Sequence, residues 1–136
     1  VDAEERYCVK AIAESSDGRI WVGIENRGLG RVLPDRTIHM GYGKEQQLDK
    51  VDVLAIHATS DRELYIGYAN GLGVMDLDSE RIVQRYTTRS GLYNNYIGCI
   101  LEDTEHEIWV GSNSCLVITS RLMPIGNSCF GETIEV

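Results

Sequence analysis

The chain has 136 residues, 43% hydrophobic and 25% charged, with 14 Gly and 2 Pro, a balance that fits a folded domain and excludes disorder and collagen. Its 21 acidic against 13 basic residues give a formal net charge of −8, which repels phosphate backbones and anionic lipid heads and disfavours nucleic acid and membrane surfaces as partners. No run approaches the roughly 18 apolar residues of a bilayer span, and the first six residues lack the basic start and apolar stretch of a secretion signal, so any targeting or anchoring element is expected outside this chain.

From Val9 the chain reads VKAIAESSDGRIWVGIENRGLG, from Val53 VLAIHATSDRELYIGYANGLG, and from Ile97 IGCILEDTEHEIWVGSNSCL. These are three copies of one unit at a period of 44 residues, with Arg27 as a single extra residue in the first. Trp21, Tyr65 and Trp109 share one phase, Gly23, Gly67 and Gly111 another, and Ile12, Ile56 and Ile100 a third. The repeats span about 7–50, 51–94 and 95–136, the last degenerate after 120, and are read as a single segment over 1–136.

Within a unit, apolar runs of five or six residues alternate with turn-forming residues, which fits strands and leaves no room for an ordinary helix. In the second copy four strands are predicted at about Val53 to Ala58, Glu63 to Tyr68, Gly71 to Leu77 and Arg81 to Thr88. Asp17-Gly18, Asn70-Gly71 and Asp78-Ser79 lie at the reversals, where Gly and Asn accept positive φ and Asp bonds its own backbone. The first strand is apolar on both faces and the last mixes in charge, so burial is expected to fall from first strand to last. A four-stranded antiparallel meander repeated in this way reads as a β-propeller blade, and the fold class is all-β. Trp21, Tyr65 and Trp109 are expected to fill space between blades. The fourth strand of the third blade is left open, because residues 120–136 depart from the repeat.

The stretches DGRIWVGIENRGLG, YIGYANGLGVMDLD and RSGLYNNYIGCILEDTEHEIWVGS resemble the two-component regulator propeller repeat. Arg62 and His106 stand where that repeat has its turn glycine. The resemblance covers about residues 7 to 119. It implies the periplasmic sensor region of a hybrid histidine kinase, an inner-membrane protein of Bacteroidetes type associated with oligosaccharide sensing. Any catalytic activity would belong to the parent protein. Three blades do not close a ring, since propellers take about 4 to 8, so the chain is expected to be a fragment of a larger propeller or to self-associate.

Ligands of propellers usually bind at a channel mouth, on loops that enter the inner strands. Here those loops offer Asp49, Lys50 and Asp52, and then Tyr93, Asn94, Asn95 and Tyr96. Two amides flanked by two tyrosines suit a sugar, since rings stack on C–H faces and amides bond hydroxyls. The same asparagines also suit a plain turn. His39, His57 and His106 lie at three different phases, so no convergence on the axis and no metal site is expected. Glu102 and Asp103 read as a solvated face. Cys8, Cys99, Cys115 and Cys129 are too widely spaced for a CxxC pair or zinc knuckle. No cofactor and no catalytic residue is expected. The leading reading is a ligand-sensing propeller segment; a propeller enzyme of lyase or glycosidase type and a protein-interaction scaffold are the alternatives.

Overall fold

The computed structural model describes residues 6–90, 92, 95–113, 115–118 and 133–135. They form three four-stranded antiparallel sheets in chain order. The first holds β1 (Val9–Glu14), β2 (Ile20–Ile24), β3 (Gly28–Val32) and β4 (Ile38–His39). The second holds β5 (Val53–Ala58), β6 (Glu63–Tyr68), β7 (Gly71–Asp76) and β8 (Arg81–Tyr86). The third holds β9 (Ile97–Glu102), β10 (Ile108–Ser112), β11 (Cys115–Ile118) and β12 (Thr133–Glu135). Among the described residues the helical content is two 3-10 turns, Lys44–Gln46 and Thr88–Ser90. The fourth strand of the last blade, open from sequence, is β12, which pairs antiparallel with β11 and sets Ile134 opposite Leu116.

The repeat is carried into backbone detail. Each blade breaks register at the second residue of its inner strand, so that Lys10, Leu54 and Gly98 are skipped in the ladders to β2, β6 and β10. The turn after each inner strand is left-handed at the same phase, Gly18 at φ 88°, Arg62 at 62° and His106 at 65°. Arg36 and Glu80 do the same in the turn before the outer strand, at 69° and 55°. The tight reversal demands this conformation wherever the sequence has lost its glycine.

The three inner strands lie side by side, β1 against β5 and β5 against β9. Between the first two blades, Trp21 and Leu29 meet Val53, Leu64, Ile66, Tyr68 and Met75 in one buried cluster, plugged by Leu48 from the connecting segment. Between the second and third, Leu72, Ile97, Ile108 and Val110 form another, with Tyr65 and Ile100 against it. The glycine of each Trp/Tyr-x-Gly strand makes this approach possible: a Cβ on Gly23 would collide with the Val53 side chain, and one on Gly67 would lie 2.7 Å from the Ile97 carbonyl oxygen.

The expected fall of burial from first strand to last does not hold. Five of the six positions of β7 are buried, while β1 leaves Val9 49% and Ile12 69% exposed. An inner strand is a sheet edge, with hydrogen-bonded chain on one side only. The middle strands are covered along both edges and by the adjoining blade, so the core sits there. Trp21 is fully buried between blades, but Trp109 borders an apolar hollow of about 270 Å³ with Cys99, Ile100, Leu101 and Gly111.

Candidate functional site

The segment between the first and second blades is built to hold one shape. Gly41 and Gly43, at φ 97° and 78°, turn the chain into the Lys44–Gln46 turn, and Gln47 closes it in the left-handed region. Leu48 then drops into the core, its N–H bonded to the Gly43 carbonyl at 2.9 Å. The rest of the segment is tied to the β2–β3 turn of the first blade. The Gly28 N–H donates to the Val51 carbonyl at 3.0 Å, and the Asn26 N–H donates to Asp52 Oδ1 at 2.6 Å. Gly28 lies so close that a Cβ would sit 2.6 Å from the Leu48 carbonyl oxygen.

A cleft of about 570 Å³ opens at this junction, lined by Asn26, Arg27, Met40, Lys44, Asp49 and Lys50. Of the residues singled out in sequence, Asp49 and Lys50 therefore share one concavity. Asp52 does not line it, because its carboxylate is engaged by the Asn26 N–H and its carbonyl accepts from the Ala69 N–H at 3.0 Å. Arg27 and Lys44 were not among the sequence candidates. The signal for Arg27 was present, since it is the one residue by which the first repeat exceeds the others; its guanidinium stands over the Tyr7 ring, 4.8 Å from the centroid.

The second candidate loop is only partly described. Tyr93 and Asn94 lie outside the described residues. Asn95 accepts from the Thr88 N–H at 2.7 Å and donates to the Thr88 hydroxyl at 3.4 Å, so its amide builds the turn. Leu92 is buried beside it, bonded through its N–H to the Thr87 carbonyl. Tyr96 is 40% exposed.

Two of the three histidines converge, which the phase argument had not anticipated. His57 Nε2 lies 2.7 Å from Glu102 Oε1, and His106 Nδ1 lies 2.9 Å from Glu102 Oε2. Phase compares positions within a blade, whereas His57 and Glu102 come from adjacent inner strands that touch sideways. Glu102 is thus no solvated residue: its side chain is 13% exposed, and the two imidazoles hold its carboxyl below the usual range. Asp103 is likewise structural, accepting the Trp109 indole N–H at 2.9 Å and the N–H groups of Glu105 and Glu107. Ser15 takes the indole of Trp21 at the same phase, at 3.2 Å. Among the described residues, no group of three His, Cys, Asp or Glu could hold a metal ion.

On the far side of the first interface, Glu80 gathers Arg19, Arg31 and Tyr42. Arg31 Nη1 and the Tyr42 hydroxyl each stand 3.1 Å from its carboxylate, and Arg19 also donates to the Leu77 carbonyl at 2.9 Å. The network ties the turns and connecting segment of the first blade to the outer turn of the second.

Residues 6–26 and 90–114 match the two component regulator propeller family, so the resemblance read from the repeat holds on the inner halves of the first and third blades. Among solved structures, the extracellular domain of BT3049 from B. thetaiotaomicron, described as a hybrid two component system, matches with a TM-score of 0.74 at 22% identity over 88% of this chain. The extracellular domain of BT4673 from the same organism, also so described, gives 0.67 at 22% identity over 93%. A catalytically inactive virginiamycin B lyase from Staphylococcus aureus with quinupristin gives 0.65 at 17% over 98%. At these identities the likeness is one of fold, a β-propeller. The chain spans 16%, 18% and 42% of those three chains, and so corresponds to part of a larger propeller. No curated protein matches the chain.

Proposed function

We propose that this chain is part of the extracytoplasmic ligand-sensing propeller of a hybrid two-component sensor histidine kinase, placed on the periplasmic side of the inner membrane, and that the whole protein detects an oligosaccharide and signals to transcription. The observation that carries this reading is the family match in register with two of the three blades. The likeness to the extracellular domains of BT3049 and BT4673, both described as hybrid two component systems, supports it.

A ligand changes signalling only through unequal affinity for two arrangements of the sensor. Ligand held between blades meets that condition better than ligand on one rigid sheet, and the segment carrying Asp49 and Lys50 joins two blades. Tyr93, Asn94 and Tyr96 stay in the proposed site as the loop that enters the third blade. The open apolar faces at Val9 and Ile12, and at Leu101 and Trp109, support self-association of the chain as a further part of the proposal. The test is a glycan screen on the intact sensor with a ligand-dependent transcription readout. A saccharide that switches transcription in the native protein and not in Lys50→Ala or Tyr93→Ala variants supports the reading; a response to proteins only, or turnover of the saccharide, replaces it.

A further inference from the structure

The two blade junctions repeat one contact, and the chain carries both halves of that contact a third time without joining them. Val53 fills the space over Gly23, and Ile97 covers Gly67, its carbonyl oxygen and Cγ2 lying 2.7 and 2.9 Å from where a Cβ would stand. Val53 and Ile97 are fully buried as a result. Val9 opens the first inner strand at the same phase, yet it is 49% exposed. Gly111 holds the phase of the two covered glycines, but the atoms nearest to a Cβ there all belong to Cys99 of its own blade.

The neighbouring positions divide in the same way. Ile56 and Ile100 pack against the two buried clusters, whereas Ile12 at their phase is 69% exposed. Trp21 is fully buried in the first junction, whereas Trp109 borders the apolar hollow of about 270 Å³ that Gly111 helps to line. His57 meets Glu102 across the second junction. Leu101 stands at the phase of His57 and is 63% exposed, and Glu14 stands at the phase of Glu102 and is exposed too. One face therefore projects side chains and the other receives them, so that they match head to tail and not like against like.

We propose that these two faces bind each other between two copies of the chain, head to tail, with Val9 of one copy seated over Gly111 of the other and Glu14 beside Leu101; the inference rests on the self-association put forward above and fixes which residues meet. A second copy is the occupant because the contact is one that the chain already makes twice with itself. Val9 enters the hollow, and Ile12 comes against Trp109 as Ile56 does against the cluster that holds Trp21. The exposed Cys99 thiol turns on a single torsion and clears the space over Gly111. Each copy offers one face of each kind, so two copies form two identical junctions and leave neither apolar face in water. Two sets of three sheets supply six blades, within the roughly 4 to 8 that close a ring.

The experiment is analytical ultracentrifugation of the 136-residue chain over a wide range of concentration. A species of twice the chain mass is expected. Val9→Glu sets a charge against the apolar hollow and should raise the dissociation constant by about tenfold or more, with the far-ultraviolet circular dichroism unchanged. Leu101→His rebuilds the His57–Glu102 pair with Glu14 across the new junction, and should tighten association about threefold, a gain that adding Glu14→Gln cancels. In any other arrangement Leu101→His only trades an apolar contact for a polar one. Association that Val9→Glu leaves intact, or that Leu101→His fails to tighten, overturns this junction while self-association stands. A chain that stays monomeric at every concentration overturns both and leaves the two faces to flanking blades of a longer propeller. Saccharide sensing is judged by the glycan screen, which none of these outcomes alters.

Discussion

Ile97, the first residue of the third inner strand, sits directly over Gly67 of the second blade, and a Cβ on that glycine would lie 2.7 Å from the Ile97 carbonyl oxygen. The obstructing atom is backbone, so it has little freedom to yield. Gly67→Ala is expected to destabilise the chain by about 1–3 kcal/mol, the usual range for overpacking. Gly18→Ala is the reference: its Cβ would enter open space, and the cost comes from φ 88° alone, about 1–2 kcal/mol. Urea denaturation compares the two, and a Gly67→Ala chain as stable as the native one would remove the packing role of this glycine.

Glu80 accepts from Arg19, Arg31 and Tyr42, and so couples two blades through one carboxylate. Glu80→Gln keeps the size and removes the charge; a loss of about 1 kcal/mol is expected, with partial exposure limiting the effect. In a double-mutant cycle with Arg19→Met the two changes should be less than additive. Strict additivity would show that this pair contributes nothing to stability.

The tyrosines set an alkaline limb. Burial, followed by the Glu80 charge, pushes the Tyr42 phenol up to about 12, above its ordinary value near 10. The folded state therefore holds this proton more tightly than the unfolded state, and the contribution of Tyr42 to stability, fully present below about pH 10, should be lost as pH rises from about 10 to 12. Tyr42→Phe should make that limb shallower in thermal midpoints measured against pH. Burial raises Tyr68 as well, so a residual slope is expected.

On the acid side, hydrogen bonds hold five carboxylates below the usual range: Asp17 through Arg19 and Ser15, Asp35 through Thr37, Asp76 through Ser79, Glu102 through His57 and His106, and Asp103 through Trp109. Their contribution is present above the ordinary carboxylate pKa of about 4 and is lost as pH falls through the depressed folded values. Glu63, raised by burial, acts in the opposite direction. Glu102→Gln should reduce the slope of stability between about pH 4 and 2; a slope identical to that of the native chain would sever Glu102 from acid unfolding.

Tyr68 is 1% exposed, and its hydroxyl meets no hydrogen-bond partner among the described residues. Its ring covers Gly73 at 2.9 Å from where a Cβ would stand, so the aromatic body is what the core uses. Tyr68→Phe should leave stability equal or raise it by up to about 1 kcal/mol. A clear loss in chemical denaturation would reveal a bond to the hydroxyl.

The propeller was legible in sequence because its unit repeats. Trp21, Tyr65 and Trp109 at one phase, and Gly23, Gly67 and Gly111 at another, state that three like sheets follow one another, and alternating apolar runs with turn residues between them state that the sheets are antiparallel meanders. Local chemistry suffices for that, since strand, turn and left-handed residue are each decided within a few positions. The site was legible only in part. Asp49 and Lys50 were found because they lie on a loop entering an inner strand, while Arg27 and Lys44 reach the same cleft from a hairpin turn and a 3-10 turn.

What period and pattern determined, then, is the blade, its four strands and the phase of its glycines. What tertiary structure decided is everything that depends on which surfaces face one another: that Val53 fills the space over Gly23, that His57 and His106 share Glu102, that burial peaks in the middle strands, and that three cations converge on one junction. Hydrogen bonds within a sheet connect residues whose separation the repeat makes predictable. Contacts between blades depend on the angle at which rigid sheets meet, and that angle is set by side-chain packing summed over the whole interface.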